Sequence, residues 1–145
     1  MRHDVRMVDY PRLVQTVLDT TDVRVLAEFY RELLGWHYRP GDEPPEASSG
    51  KSDDADWLVL RDPERLRGLA FQQVEELQVT TWPAHDVPMQ LHLDMTVPDV
   101  TRLESVRQRA EALGATLALD RRNDPDEPLY VFRDPAGHPF CVFVA

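Results

Sequence analysis

The chain has 145 residues, of which 42% are hydrophobic and 29% charged, a composition typical of one globular domain with a sizeable core. The formal net charge of -10 argues against a nucleic acid or an anionic membrane as the partner, because either needs a basic surface. No apolar run reaches transmembrane length, the first residues lack the apolar stretch of a signal peptide, and the one cysteine, Cys141, cannot form an internal disulfide. We therefore expect a cytoplasmic protein.

The first half of the chain has the pattern of a strand, a helix and three more strands. A predicted strand at residues 13–19 leads into an amphipathic helix predicted over residues 21–36. Asp22 is a natural N-cap because its carboxylate can accept from free backbone N–H groups, and Gly35 is a natural stop. Further strands are predicted near residues 36–39, within 58–63 and at 69–74.

A polar, acidic and proline-rich loop, residues 41–56, interrupts this first half, and we predict that it is mobile. Two interpretations stay open: a lid over a binding site, or a solvated insertion, which we favour. We predict a single domain over residues 1–145. Its first module covers about residues 12–75, a linker covers 76–88, and the second module covers about 89–145.

Residues 89–100, MQLHLDMTVPDV, alternate between apolar and polar side chains. This pattern predicts a strand with one face on the core. The other face, which carries His92 and Asp94, points either to water or into a binding cleft. The apolar set is Leu91, Leu93, Met95 and Val97, and the polar set is Gln90, His92, Asp94 and Thr96.

The rest of the second half follows the order of the first. A second amphipathic helix, predicted over residues 98–115, has Asp99 as its N-cap and Gly114 as its stop. Asp-Val, Leu-Gly and Arg-Asp-Pro recur in the same order in both halves, which indicates an internal repeat. We predict an α+β fold in which β-α-β-β-β occurs twice. The later strands are predicted at residues 116–119, 130–133 and 140–144, with a type I turn at 134–137.

Three segments, VLDTTDVRVLAEFYRELLGW, HLDMTVPDV and YVFRDPAGHPFCVFV, resemble the vicinal oxygen chelate superfamily, and within it the glyoxalase-like or bleomycin-resistance-like domains. The resemblance covers the chain from about Leu13 onward. It implies two βαβββ modules whose curled mixed sheets surround a shared cleft, with the helices outside, and it implies that His92 and Asp94 line that cleft. Relatives commonly form homodimers, so we expect a homodimer.

Metal-dependent members of the superfamily hold a divalent ion with four side chains from four strands. The resemblance carries these positions onto Gln15 and His92 in the first strands and onto Gln72 and Cys141 in the last strands, with Gln73 as the one-residue alternative to Gln72. This set is a poor divalent site, because neutral amides replace carboxylates and Cys141 would have to ionise. We expect no cofactor; a divalent metal stays possible, with His92 as its best candidate ligand.

Each candidate site residue has a structural alternative. His92 and Asp94 form either a general acid–base pair or a structural pair that only satisfies the hydrogen bonding of its own two side chains. Cys141 is expected to be a small buried hydrophobe rather than a nucleophile, because no basic residue adjoins it in sequence. Gln15 and Gln72 could bond a ligand or each other, and Tyr130 contributes either to the cleft or to the core.

These observations favour a glyoxalase-like protein that binds or transforms a small organic ligand in the cleft between the modules, without a metal. If it is an enzyme, we expect the lyase or isomerase chemistry of the superfamily. One alternative is a metal-dependent lyase, isomerase or dioxygenase that uses His92 with unusual partners. The other is a non-catalytic interaction module with a vestigial cleft.

Overall fold

The computed structural model describes residues 9–64 and 67–145, which form two modules with the same order of elements. The first comprises β1 (Thr16–Thr20), α1 (Val23–Leu34), β2 (His37–Tyr38), β3 (Trp57–Arg61) and β4 (Gly68–Gln73), with a 3₁₀ turn at Ala47–Ser49. The second comprises β5 (Leu93–Val97), α2 (Val100–Ala112), β6 (Thr116–Arg121), β7 (Leu129–Arg133) and β8 (Pro139–Val144). The predicted β-α-β-β-β repeat is confirmed.

Each module forms its own four-stranded mixed sheet, with the strand orders β1-β4-β3-β2 and β5-β8-β7-β6. The first and last strands of each module pair in parallel, and the remaining neighbours pair antiparallel. A helix in each module provides the crossover that a parallel pair requires. Neither helix, nor any other helix in the parts of the chain that the structure describes, is long and apolar enough to cross a membrane.

The helix ends follow the predicted capping residues. Asp22 precedes α1 and its side chain accepts from the N–H of Val25, while Gly35 ends the helix at a φ of 67°. Asp99 precedes α2 in the same way and accepts from the N–H of Arg102. At the other end of α2 the C-cap is Leu113 rather than the predicted Gly114, which comes one residue later with a φ of 116°.

Two predicted strands begin later than the sequence indicates. β1 begins at Thr16 rather than near residue 13, and its first pair with β4 is Thr16 with Leu69. β5 begins at Leu93 rather than at residue 90, and its first pair with β8 is Leu93 with Phe140. The residue before Phe140 is Pro139, which has no N–H with which to extend the ladder. The polar residues Gln15 and His92 therefore lie just ahead of their strands.

One hydrophobic core is shared by the two modules. The ring of Tyr30 on α1 stacks on Phe71 of its own sheet, with ring centroids 5.8 Å apart. It also meets Phe140 of the second sheet edge-on at 6.1 Å, and neighbouring Phe29 lies 5.9 Å from the same ring. Helix α1 therefore packs against both sheets.

The acidic loop over residues 41–56 contacts α1 and β3. Arg24 of α1 lies 2.7 Å from a carboxylate oxygen of Asp53 and donates to the carbonyl oxygen of Asp42 at 2.7 Å. The carboxylate of Asp42 in turn accepts from the N–H of Val59 at 2.9 Å. These contacts anchor the loop beside the helix of the first module.

Candidate functional site

The two faces of β5 are separated as the alternation predicts. Leu93, Met95 and Val97 pack against the core, whereas His92 and Asp94 are exposed on the opposite side. The parallel partner strand β8 places Cys141 directly opposite Asp94. His92, Asp94 and Cys141 therefore converge from two neighbouring strands.

The polar atoms of these three side chains are close together. Nε2 of His92 lies 3.1 Å from Oδ1 of Asp94, and one ligand atom from each of the three residues lies within 4.8 Å of the others. Burial raises the pKa of the Cys141 thiol above its ordinary value, and the nearby charge of Asp94 raises it further. The thiol is therefore neutral near pH 7, while the carboxylate of Asp94 can stabilise a protonated imidazole.

A mostly apolar hollow of about 210 Å³ adjoins this cluster, and we call it the His92 hollow. Val131 of β7 belongs to it because it pairs with Cys141 and shares its face. Trp82 comes from the connection between the modules, where Arg133 donates a 2.7 Å hydrogen bond to its carbonyl oxygen. The lining residues are Trp82, Met89, His92, Leu119, Arg121, Leu129, Val131, Pro139 and Cys141.

A larger cavity of about 570 Å³ lies where the modules meet, and we call it the junction cavity. It is bounded by β1, by the connection between the modules and by the turn from β7 to β8. Met89 and Pro139 line both the junction cavity and the His92 hollow, so the two spaces adjoin. The junction cavity is lined by Val17, Leu18, Asp19, Gln72, residues 77–80, residues 87–91 and residues 136–139.

The other predicted site residues lie in different places. Gln72 lines the junction cavity. Gln15 lines a separate hollow of about 280 Å³ with Arg12, Leu13, Val14, Arg61, Arg67 and Gly68, which we call the basic hollow. Tyr130 is fully buried and its hydroxyl donates to Glu104 of α2. It pairs with Val142 rather than with Cys141, so it faces the helix and the core.

The strand register also corrects the alignment of the two modules. Asp94 pairs with Cys141 in the second module, and the corresponding pair in the first module is Val17 with Ala70. Ala70, rather than Gln72, is therefore the counterpart of Cys141. Gln73 is a helix cap: its side-chain oxygen accepts from the N–H of Val23 at 2.9 Å, and its amide donates to Thr21 at 2.6 Å.

The chemistry of the donor set limits which metal could bind here. The first module contributes no side chain to the cluster of His92, Asp94 and Cys141 among the residues that the structure describes. One imidazole, one carboxylate and one thiolate would suit a borderline ion such as zinc better than manganese, which prefers oxygen ligands. Such a site fits only if Cys141 loses its proton, and the raised pKa of its thiol opposes this.

Comparison with known proteins assigns the fold to a family. The family model described as a glyoxalase-like domain matches residues 15–143, which is nearly the whole chain. The chain belongs to the glyoxalase-like domain family. No functionally curated protein matches this glyoxalase-like chain significantly.

Solved structures resemble the glyoxalase-like chain at low sequence identity, so they establish its fold alone. A glyoxalase/bleomycin resistance protein/dioxygenase family enzyme from Burkholderia phytofirmans PsJN is 15% identical with a TM-score of 0.66, and the match covers 90% of this chain and 96% of that one. A mutant of the genomically encoded fosfomycin resistance protein FosX from Listeria monocytogenes, complexed with Mn(II) and 1S,2S-dihydroxypropylphosphonic acid, is 13% identical with a TM-score of 0.65, covering 94% of each chain. Hypothetical protein SA1046 from S. aureus is 13% identical with a TM-score of 0.63, covering 92% of this chain and 97% of that one.

Proposed function

We propose that this glyoxalase-like chain binds a small organic molecule in the junction cavity, with one end of the molecule reaching the His92 hollow. The observation that carries the proposal is that the two spaces adjoin at Met89 and Pro139. The volume of about 570 Å³ falls within the range of roughly 300–1,000 Å³ that is usual for ligand pockets.

The lining indicates the kind of ligand. Val17, Val79 and Leu91 offer apolar surface, while Asp19 and Gln72 offer hydrogen-bonding groups on the same cavity. Such a mixture suits a compact molecule that is largely apolar and carries a few polar substituents. The smaller His92 hollow is more apolar and would hold the end of the molecule that meets His92.

His92 and Asp94 supply the chemistry if the ligand is transformed. A neutral imidazole can accept a proton from a bound molecule, and the carboxylate 3.1 Å away stabilises the positive charge that results. Return of that proton to another atom of the ligand would complete an isomerase-type step. In a lyase-type step the bond to a leaving group would break instead, and the imidazolium would give the proton to the departing atom. This chemistry requires no metal.

A ligand screen by thermal shift tests the binding proposal, since a molecule that binds only the native state raises its stability. Hits are then measured by calorimetry against Val17→Trp, which fills the junction cavity from the exposed face of β1. Val25→Trp on the exposed face of α1 is the matched control. We expect Val17→Trp to weaken binding at least tenfold and Val25→Trp to leave it unchanged; equal affinity for both variants would contradict the proposed site.

Turnover separates an enzyme from a binding protein. For any ligand that is transformed, His92→Gln should abolish turnover while its dissociation constant changes little, because glutamine cannot act as a general base. Retained turnover in His92→Gln would contradict the assigned role. A ligand that binds at the junction cavity but is never transformed by the wild-type chain would make the protein a binding module.

A metal-dependent activity is the second candidate, and the convergence of His92, Asp94 and Cys141 is the observation that favours it. FosX, of the same fold, is described in complex with Mn(II). Elemental mass spectrometry after incubation with Zn, Mn, Fe(II) or Ni and desalting tests this candidate. About one ion per chain, lost in His92→Ala but kept in the exposed control His85→Ala, would establish it; no retained ion would refute it.

The quaternary state belongs to the same proposal. We propose a homodimer, and sedimentation equilibrium measures this directly. A chain that dimerises but shows neither a stabilising ligand nor a bound metal would support the third candidate, an interaction module with a vestigial cleft.

A further inference from the structure

Unpaired arginines are concentrated at one place on the first module. The chain has 26 acidic and 16 basic residues, so a carboxylate partner is easily found. Within residues 9–64 and 67–145, the arginine side chains that form no ion pair and no hydrogen bond are those of Arg12, Arg61, Arg67 and Arg121. The first three line the basic hollow.

Three parts of the chain bring these arginines together. Arg61 ends β3 and is paired in register with Gly68, which begins β4. Arg67 immediately precedes Gly68, and Arg12 lies in the segment that leads into β1. A Cβ on Gly68 would lie 3.3 Å from the carbonyl oxygen of Leu60 and 3.4 Å from Cβ of Gln15, so a side chain here would crowd Gln15.

The charge in this hollow is not compensated by a carboxylate among the lining residues. Arg61 is half-buried, and removing a guanidinium from water without a counter-charge is unfavourable. Three like charges around about 280 Å³ also repel one another. The nearby acidic residues Asp62 and Glu64 line an adjacent surface hollow with Arg67 instead. A bound anion would offset both unfavourable effects.

We propose that the basic hollow is a binding site for an oxyanion group, a carboxylate or a phosphate, carried by a small molecule. The forked guanidinium groups of Arg12, Arg61 and Arg67 match the paired oxygens of such groups, and the amide of Gln15 donates a further hydrogen bond. This hollow lies at the opposite end of the β1–β4 pair from Gln72. The inference therefore does not depend on the ligand proposed for the junction cavity.

Calorimetric titration of the full chain at low salt tests the site with two probes, inorganic phosphate and acetate. We expect saturable binding of one anion per chain. Arg61→Gln should weaken it at least about tenfold, because a hydrogen bond to a charged group contributes that much. Arg61→Lys should restore only part of the affinity, since lysine keeps the charge but lacks the fork.

A control separates a site from a general effect of charge. Lys51→Gln removes the same charge from an exposed position in the 41–56 loop and should leave the affinity unchanged. Saturable binding of phosphate but not of acetate would favour a phosphate as the natural group, and saturable binding of acetate but not of phosphate would favour a carboxylate. Arg12 precedes the first strand, so Arg12→Gln tests the site even if Arg61→Gln fails to fold.

Three outcomes would overturn the proposal. Neither anion binds saturably, or Lys51→Gln weakens binding as much as Arg61→Gln does. The third is that Arg12→Gln and Arg61→Gln both bind the anion as tightly as the wild type does.

Discussion

The hydroxyl of Tyr30 donates a 2.6 Å hydrogen bond to Oδ2 of Asp134, across 104 residues of sequence. The other oxygen of Asp134 accepts from the N–H groups of Ala136 and His138 at 2.9 and 3.0 Å. His138 then donates from Nε2 to the carbonyl oxygen of Asp19 at 2.7 Å. One buried carboxylate thus joins the helix of the first module to the turn of the second, and that turn borders the junction cavity.

Loss of this bond should lower stability measurably. Tyr30→Phe removes the hydroxyl but keeps the ring contacts, and leaves a buried carboxylate with one donor fewer. We expect the free energy of unfolding, measured by urea denaturation, to fall by about 1–3 kcal/mol. Tyr10→Phe, at a residue that is 81% exposed, is the control and should change stability by much less. Equal effects of the two variants would show that the bond contributes nothing.

The pH dependence of stability should carry the signature of Asp134. Burial raises the pKa of this carboxyl above its ordinary value of 3.8, although its hydrogen bonds act in the opposite direction. Because the pKa of Asp134 is raised in the folded protein, its neutral carboxyl contributes to the free energy of unfolding. This contribution is complete below pH 3.8 and is lost as the pH rises through the pKa of the folded state. Relative to Asp134→Asn, the wild type should therefore lose free energy of unfolding as pH rises from about 4. A difference that stays constant or grows over that range would contradict the prediction.

The contact between the turn and the linker can be isolated with two glycines of similar backbone conformation. Gly137 and Gly41 have φ values of 95° and 96°. A Cβ on Gly137 would lie 2.6 Å from a methyl carbon of Val79, whereas a Cβ on Gly41 would meet nothing within 4 Å. Gly137→Ala should therefore lower the melting temperature more than Gly41→Ala does. Adding Val79→Ala to Gly137→Ala should restore part of the melting temperature that Gly137→Ala loses. If the double variant melts no higher than Gly137→Ala, the destabilisation does not come from the contact with Val79.

Cys141 should react slowly with alkylating reagents in the native protein. The thiolate is the reactive form, and both burial and the charge of Asp94 raise the pKa of the thiol. Iodoacetamide labelling followed by mass spectrometry should accelerate as pH increases, and Asp94→Asn should be labelled faster than the wild type at neutral pH. Labelling of the native wild type as fast as that of the urea-unfolded chain would contradict this assignment.

The sequence predicted most of the fold because each element carries a local signal. The N-caps Asp22 and Asp99 are fixed by hydrogen bonds within one turn of chain, and the faces of β5 follow from a period of two. Which face of β7 carries Tyr130 was harder to predict. Leu129, Tyr130, Val131 and Phe132 are all apolar in sequence, so only the pairing with β8 shows which of them meet Cys141.

The candidate site was predicted only in part, because much of its lining comes from the connection between the modules. His92 and Asp94 were found from the alternation of one strand. Val79 and Trp82 follow no helical or strand period, and their places depend on distant contacts such as that of Arg133 with Trp82. The sequence analysis did not group the arginines of the basic hollow, because they come from three separate segments of the chain.

The packing of α1 against both sheets has a consequence for how such a chain could have arisen. A half-length ancestor with one βαβββ unit would have left the surface that now meets Phe140 in water, at a cost of about 25 cal/mol for each Å² of apolar area. Such an ancestor would have needed a second copy of itself to bury that surface. Fusion of two such copies would free the halves to diverge, as they differ where His92 and Cys141 of the second module correspond to Gln15 and Ala70 of the first.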